Sequence, residues 1–302
     1  MKYAIGIDVG ATKIKGAVVD KKGKIKIRYI ILTGARRKGE EILADIIGLI
    51  QYLRQESEAR HLKLEGIGIG IPGVIKNGKL VFGGGTLIQL KGLDLANCIK
   101  KETDLKVILE NDSKCFALAE SIFSAGKKYK RLAGVIWGTG IGSSVIERRK
   151  NCIFAESVEM GHFVVEPNIK SEPKDACGQR GCVENLASGK NIERRYRAKG
   201  GKIKNAGVKE IYHSKEKVAK EVLEDAYKYL GMAIAALVRA ASPEIIIIGG
   251  GVSNLPKPAH RKLKNYIYKY ASEAAVKKLK IVKSKLGNFS GAIGAAWLAL
   301  NE

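Results

Sequence analysis

Asp8, Gly10, Thr12 and Lys13 put a carboxylate, a glycine, a hydroxyl and an ammonium on one tight turn near the start of the chain. Glycine lets backbone N–H groups close in on a ligand, and such a nest binds anions, phosphate above all. An aspartate beside a phosphate would repel it unless a cation stood between them, so Asp8 points to Mg2+ held through water. An ordinary hairpin with a glycine turn accounts for this stretch equally well when it is taken alone. The Gly-x-x-x-x-Gly-Lys-Ser/Thr order is absent, which excludes a P-loop. Gly138-Thr139-Gly140-Ile141-Gly142 repeats the device, and Gly249-Gly250-Gly251 is a further turn open to close approach.

Glu110-Asn111-Asp112-Ser113 follows an apolar run and precedes helical spacing at Phe116, Leu118, Ala119 and Ile122. Polar residues at the carboxyl end of a buried strand, opening a helix, occupy the usual ligand crevice of an α/β sheet. Asp112 or Ser113 could instead cap the helix, and the two roles are compatible. Further on come Glu159-Met160-Gly161-His162 and the loop Asp175-Ala-Cys177-Gly-Gln-Arg-Gly-Cys182-Val-Glu184. A histidine and two cysteines on glycine-rich loops are candidate zinc ligands, with a pair of merely structural cysteines as the equal alternative.

These residues need elements to hold them. Ile5, Ile7 and Val9 alternate with Ala4, Gly6 and Asp8, the period of a strand, and Ile14 to Val19 returns as its hairpin partner. Gly23 to Ile31 reads as a third strand and Glu40 to Gln55 as an amphipathic helix. In Gly66 to Gly73, Ile67, Ile69 and Ile71 fill one face while glycines leave the other open to a backbone or a ligand. Gly73, at its end, is a candidate substrate contact. A glycine loop at Gly83–Gly85, a short helix at 93–101 and a strand at 106–109 follow. Strands at 132–137 and 144–147 flank the second glycine turn, so the opening hairpin recurs and one unit looks duplicated. Helices are expected at 185–199, 215–241 and 261–278, with strands at 244–248 and 280–283. The last segment, from Gly287, is a helix of small residues able to pack tightly on a neighbour.

The chain has 302 residues, enough for two domains, and charged and apolar fractions of 28% and 45% are those of a globular protein. The apolar run after Met1-Lys2 is broken by Asp8, and no run reaches membrane-spanning length, so a cytoplasmic location is expected. Five cysteines, an odd number, argue against a disulfide framework. The net charge of +24 would attract any polyanion, nucleic acid first. Lysine and arginine spread over most of the chain, however, and no helix-turn-helix, finger or aromatic-interleaved RNA motif accompanies them. Specific nucleic-acid binding is therefore not expected.

Taken in order, these pieces resemble the ROK family of repressors and sugar kinases from end to end. Asp8-x-Gly10-x-Thr12 is similar to its first phosphate motif, Gly138-Thr139-Gly140-x-Gly142 to its second, and Gly249-Gly250-Gly251-Val252 to its adenosine motif. Asn111-Asp112, Glu159-x-Gly161-His162 and Cys177-Gly-x-x-Gly-Cys182-x-Glu184 are similar to its sugar-site elements. The resemblance implies an α/β, two-lobed actin-like ATPase (ribonuclease H-like) fold, with duplicated sheet-and-helix domains around a cleft. The expected domains are 1–113 with 288–302, and 114–287. It also implies an ATP- and Mg2+-dependent hexose kinase, glucose first, with N-acetylmannosamine, fructose or a polyphosphate donor as alternatives. Asp112 would be the general base, and Asn111, Glu159, His162 and Glu184 would hold the sugar. Lys13 joins the phosphate turn. The family's zinc site maps to His162, Asp175, Cys177 and Cys182, with Asp175 where a cysteine is usual. Thr86 and Leu90 likewise stand where an asparagine and a tryptophan are common. A homodimer or homotetramer is implied. The family's repressors carry an N-terminal helix-turn-helix, for which a first strand at Tyr3 leaves no room, so an enzyme is expected over a sugar-responsive regulator.

Overall fold

The computed structural model describes residues 1–82, 85–150 and 152–301. Of the glycine loop expected at Gly83–Gly85, Gly83 and Gly84 lie outside them. The chain divides into two compact units, residues 1–128 with 285 onward, and residues 129–284.

The first unit opens with β1 (Lys2–Val9) and β2 (Lys13–Asp20), an antiparallel hairpin whose register sets Asp8 opposite Lys15. β3 (Ile25–Leu32), α1 (Gly39–Ala59), β4 (Lys63–Ile71), the short pair β5 (Val74–Lys76) and β6 (Lys79–Phe82), α2 (Leu95–Thr103), β7 (Val107–Asn111) and α3 (Asp112–Phe123) follow. The sheet order is β3-β2-β1-β4-β7, with β4 and β7 parallel to β1. Ile5, Ile7, Val9, Ile67 and Ile69 point to one face, where Ile42, Ile46, Ile50 and Leu53 of α1 cover them. Each such side chain contributes about 1.5–3 kcal/mol on burial, which fixes which way the strands face. Because that face is set, the ends of β1 and β7 present Asp8 and Asn111–Asp112 from the same edge of the sheet, as parallel strands require.

The second unit runs β8 (Arg131–Trp137), β9 (Ile141–Arg148), β10 (Ile153–Ser157), α4 (Val183–Ala187), α5 (Gly189–Ala198), α6 (Val208–His213), α7 (Lys217–Ala241), β11 (Ile245–Gly249), α8 (Lys257–Tyr270), α9 (Glu273–Val276) and β12 (Lys280–Lys283). Its sheet order, β10-β9-β8-β11-β12, repeats the first: an antiparallel meander of three strands, then two strands parallel to the first of them. The duplication read from the two glycine hairpins is thus present strand for strand.

Two expected helices are broken. Ser188 is extended (φ −69°, ψ 155°) and separates α4 from α5, because the Gly189 N–H donates to the Gly138 carbonyl at 2.8 Å instead of continuing a helix. Ala271, also extended, separates α8 from α9.

The last helix, α10 (Ser290–Asn301), packs in the first unit on the face of the sheet opposite α1. A Cβ at Gly6 would lie 1.8 Å from the Ala292 carbonyl oxygen, and one at Gly68 1.8 Å from that of Ala295. Only glycine permits this backbone-to-backbone contact. The boundary between the units falls after Lys128 rather than at 113/114, since α3 packs on β4, β7 and α10 and so stays with the first sheet. The amphipathic pattern of α3 records that it is buried, not which sheet buries it.

Candidate functional site

In the first unit the turn between β1 and β2 is closed by the Gly10 N–H donating to the Lys13 carbonyl at 3.1 Å, while the Thr33 hydroxyl donates to the Gly10 carbonyl at 2.7 Å. Thr12 and Lys13 are exposed at its tip. Asp8 sits at the end of β1 with its carboxylate 15% exposed and accepts from the Lys15 ammonium at 2.8 Å. Gly291 of α10 abuts the same carboxylate, and a Cβ there would lie 2.8 Å from Asp8 Cγ. The expected cation beside Asp8 is thus met in part by the chain itself. A single carboxylate with a lysine neighbour suits Mg2+ held through water and a phosphate, and falls short of an all-protein cage.

Asn111 ends β7 with extended torsions (φ −63°, ψ 136°) and caps α3. Its Oδ1 accepts from the Ser113 N–H at 2.9 Å, the Ser113 hydroxyl at 2.6 Å and the Lys114 N–H at 3.3 Å. Its Nδ2 donates to the Gly73 carbonyl at 2.9 Å, which brings two of the expected substrate contacts together. The capping role assigned to Asp112 or Ser113 is therefore Asn111's, and Asp112 is the first residue of the helix proper. Asp8 and Glu110 both stand opposite Gly70, on the two flanks of β4. Cys115 registers the same grouping: burial raises its thiol well above the usual range, and Glu110, Asp112 and Asp8 raise it further.

In the second unit the Gly138 N–H donates to the Gly140 carbonyl at 2.9 Å, and α5 begins against this turn, with the Lys190 N–H 3.3 Å from the Thr139 carbonyl oxygen. Gly250 (φ +90°) presses on Trp137, whose carbonyl oxygen would lie 2.5 Å from a Cβ at Gly250. The second glycine turn and the Gly249–Gly251 turn are therefore neighbours, on the adjacent strands β8 and β11. Gly142 lies just inside β9.

Glu184, in the first turn of α4, accepts from the Ile141 N–H at 2.6 Å through Oε2. Its carboxylate also lies against Gly140 and Gly161, and burial pushes its pKa up to about 7. Glu159 holds a left-handed backbone (φ 51°, ψ 37°), a strained conformation for a residue with a side chain, and its Oε1 accepts from the Ser157 hydroxyl at 2.8 Å. His162 divides its two nitrogens: Nε2 lies 3.9 Å from Glu159 Oε2, and Nδ1 contacts the Asp175 carboxylate. That contact raises the imidazole pKa to about 9.

His162, Asp175 and Cys177 bring ligand atoms within 4.8 Å of one another. Cys177 Sγ lies 3.6 Å from Asp175 Oδ2 and 3.5 Å from Cys182 Sγ. One nitrogen, one oxygen and one sulfur so placed are a donor set that suits zinc, and the Cys177–Cys182 spacing is near the roughly 3.8 Å of two thiolates on one tetrahedral ion. Three of the four expected ligands, His162, Asp175 and Cys177, form one group, and Cys182 stands beside Cys177 outside it.

The ROK family model matches residues 4–302 of the sequence. The chain belongs to the ROK family. The glucokinase of Thermotoga maritima is 30% identical over 97% of this chain and 95% of its own length. The xylose repressor of Bacillus spizizenii is 27% identical over 99% of this chain and 77% of the repressor. Among solved structures, a ROK glucokinase from Streptomyces griseus in complex with glucose and AMPPNP superimposes with a TM-score of 0.82 at 24% identity, covering 99% of this chain and 100% of that one. At that identity the likeness speaks for the fold: the two five-stranded mixed sheets are those of ROK structures.

One residue of this ROK chain, Lys15, escaped the sequence reading. Lys15 was signalled only by register, since a tight hairpin after Val9 sets it across from Asp8. Leu90, at the place of the family's common tryptophan, is fully buried in the first unit's core. Among the described residues no helix is long and apolar enough to cross a membrane.

Proposed function

We propose that the chain is a sugar kinase, transferring the γ-phosphoryl group of ATP to a hexose hydroxyl, the 6-hydroxyl of glucose in first place. The observation that carries this reading is the division of labour at β7–α3. Asn111 caps the helix and ties down Gly73, so the neighbouring carboxylate of Asp112 is not needed for that purpose and can serve as a base. In the step itself the sugar oxygen forms a bond to the γ-phosphorus, the bond from that phosphorus to the β,γ-bridging oxygen breaks, and ADP leaves. The hydroxyl proton passes to Asp112. Such transfer needs positioning and charge neutralisation more than covalent help.

The turn bearing Asp8, Gly10, Thr12 and Lys13, with Lys15 beside it, and the turn Gly138–Gly142 take phosphates through backbone N–H groups and ammonium charge. Gly249–Gly251 takes the adenosine. Bound Mg2+ would neutralise phosphate charge near Asp8. Asn111, Glu159, His162 and Glu184 hold the sugar hydroxyls, since carboxylates and amides pair with adjacent hydroxyls. His162, Asp175, Cys177 and Cys182 would hold zinc, which in a structural role would fix the segment between Glu159 and Glu184. The active form is a cytoplasmic homo-oligomer. The likeness to glucokinases supports glucose as the first sugar, with N-acetylmannosamine and fructose next, and with polyphosphate as the alternative donor.

ADP release measured across a panel of these sugars tests the reading: turnover with one hexose well above the rest supports it, and none with any sugar or donor contradicts it. A sugar-responsive regulator is the second reading, favoured by the xylose-repressor relative and the +24 charge. Sequence-selective DNA binding that survives about 0.2 M salt would favour it, since non-specific binding rests on counterion release and falls steeply with salt.

A further inference from the structure

A pocket of about 480 Å³ opens in the second unit between α6 and the first halves of α7 and α8. Tyr212, Leu223, Tyr227, Pro258 and Ala259 form its walls. Tyr227 is only 2% exposed, yet its hydroxyl has no hydrogen-bond partner among the described residues. Buried hydroxyls are nearly always paired, because leaving one unpaired forfeits its hydration without return. An orphan of this kind on the wall of a pocket marks a place for a partner that the chain does not itself supply.

The rim limits what that partner can be. Lys220 and Lys262 stand against Glu221 and Glu224, so the mouth has no net charge to select an ion. Lys262 is bound to Glu224 at 2.6 Å and lies 5.9 Å over the Tyr227 ring, which leaves it little freedom to recruit an anion. Two tyrosine rings, an aliphatic floor and one unspent phenol suit a flat, apolar body carrying a hydrogen-bond acceptor. We propose that this pocket binds an uncharged planar heteroaromatic molecule, packed on Tyr212 and Tyr227, with a ring or amide acceptor taking the Tyr227 hydroxyl proton.

The pocket is wired to the glycine turns. The Tyr227 ring meets Trp137 edge-on, with centroids 6.0 Å apart and planes at 80°. Trp137 ends β8, directly before Gly138, and its carbonyl faces Gly250. A guest that shifts Tyr227 therefore presses on the residue that both turns share. The binding itself does not rest on the kinase reading.

The test uses the full chain with Trp297→Phe, which leaves Trp137 as the remaining tryptophan of the two, and nicotinamide as the probe. Trp137 emission should change saturably, with half-saturation below ~1 mM. Tyr227→Phe keeps the ring and removes the orphan hydroxyl. It should weaken the probe by about 2- to 10-fold, the worth of one neutral hydrogen bond, and raise the melting temperature of the probe-free chain. Saturating Mg-ATP should not compete the probe away: through Trp137 it can shift the probe's affinity only to a plateau, reached as ATP saturates. Linear quenching without saturation, indifference to Tyr227→Phe, or displacement of the probe by ATP would each overturn the proposal, the last by making the pocket part of the nucleotide's own site.

Discussion

The Glu184 carboxylate accepts a hydrogen bond at 2.6 Å from the backbone N–H of Ile141, so a residue assigned to the sugar also fixes the strand that leaves the second glycine turn. On the proposed reading its two oxygens would have separate duties, Oε2 toward Ile141 and Oε1 toward the sugar, and two substitutions separate them. Glu184→Gln keeps an acceptor for Ile141 and should weaken chiefly the sugar. Glu184→Ala removes both duties and should raise the KM for nucleotide as well, by roughly tenfold or more, the worth of a hydrogen bond to a charged group. Equal nucleotide KM values in the two variants would show that the Ile141 contact does not serve the turn.

Asn111→Ala should lower stability by about 1–2 kcal/mol through loss of the α3 cap, with a further loss from the Gly73 tie. Denaturant unfolding measures it. A variant as stable as the parent would mean that the cap contributes nothing to holding β7 and α3 together.

Gly68→Ala tests the seat of α10. A Cβ there would meet the Ala295 carbonyl at 1.8 Å, and overpacking of this kind costs about 1–3 kcal/mol or more. Gly48→Ala is the control: it lies mid-helix in α1 with nothing among the described residues within 4 Å of a Cβ, and should stabilise by up to about 1 kcal/mol. Thermal unfolding of both variants, shifting in opposite directions, is the expected result.

The glycine hairpins, the buried isoleucine strands and the duplication were legible in the sequence, because period-two alternation and glycine placement report local backbone geometry directly. What escaped depended on contacts distant in the chain or on a single residue's torsion. Asn111 rather than Asp112 caps α3 because the chain leaves extended geometry at Asn111, a one-residue distinction that side-chain type does not settle when both residues cap well. The break at Ser188 is set by the hydrogen bond of Gly189 to Gly138 in another part of the unit. The short β5–β6 pair carries too few residues for a periodic signal. Lys15 looked like any lysine of a basic chain until register set it against Asp8.

Metal analysis of the purified chain should find one zinc per chain, and the cobalt-substituted protein should show thiolate-to-metal absorption from two sulfurs. Cys177→Ser should lose that metal. Because His162 turns Nδ1 to Asp175 and Nε2 toward Glu159, chelation should weaken sugar affinity more than nucleotide affinity. Full activity in protein that carries no zinc would remove the metal from the account.

The central claim is that Asp112 receives the proton of the attacking sugar hydroxyl, and turnover of Asp112→Asn is its most direct measure. An amide can hydrogen-bond a sugar but cannot take its proton. With Asn111 supplying the cap, the melting temperature should stay at the parent value and sugar binding should change little. Turnover, followed by ADP release, should fall by roughly 10²–10⁴-fold, the usual contribution of a positioned base. Parent-like turnover in a folded, sugar-binding Asp112→Asn chain would contradict the claim and turn the search for the base to Glu110 or Glu159.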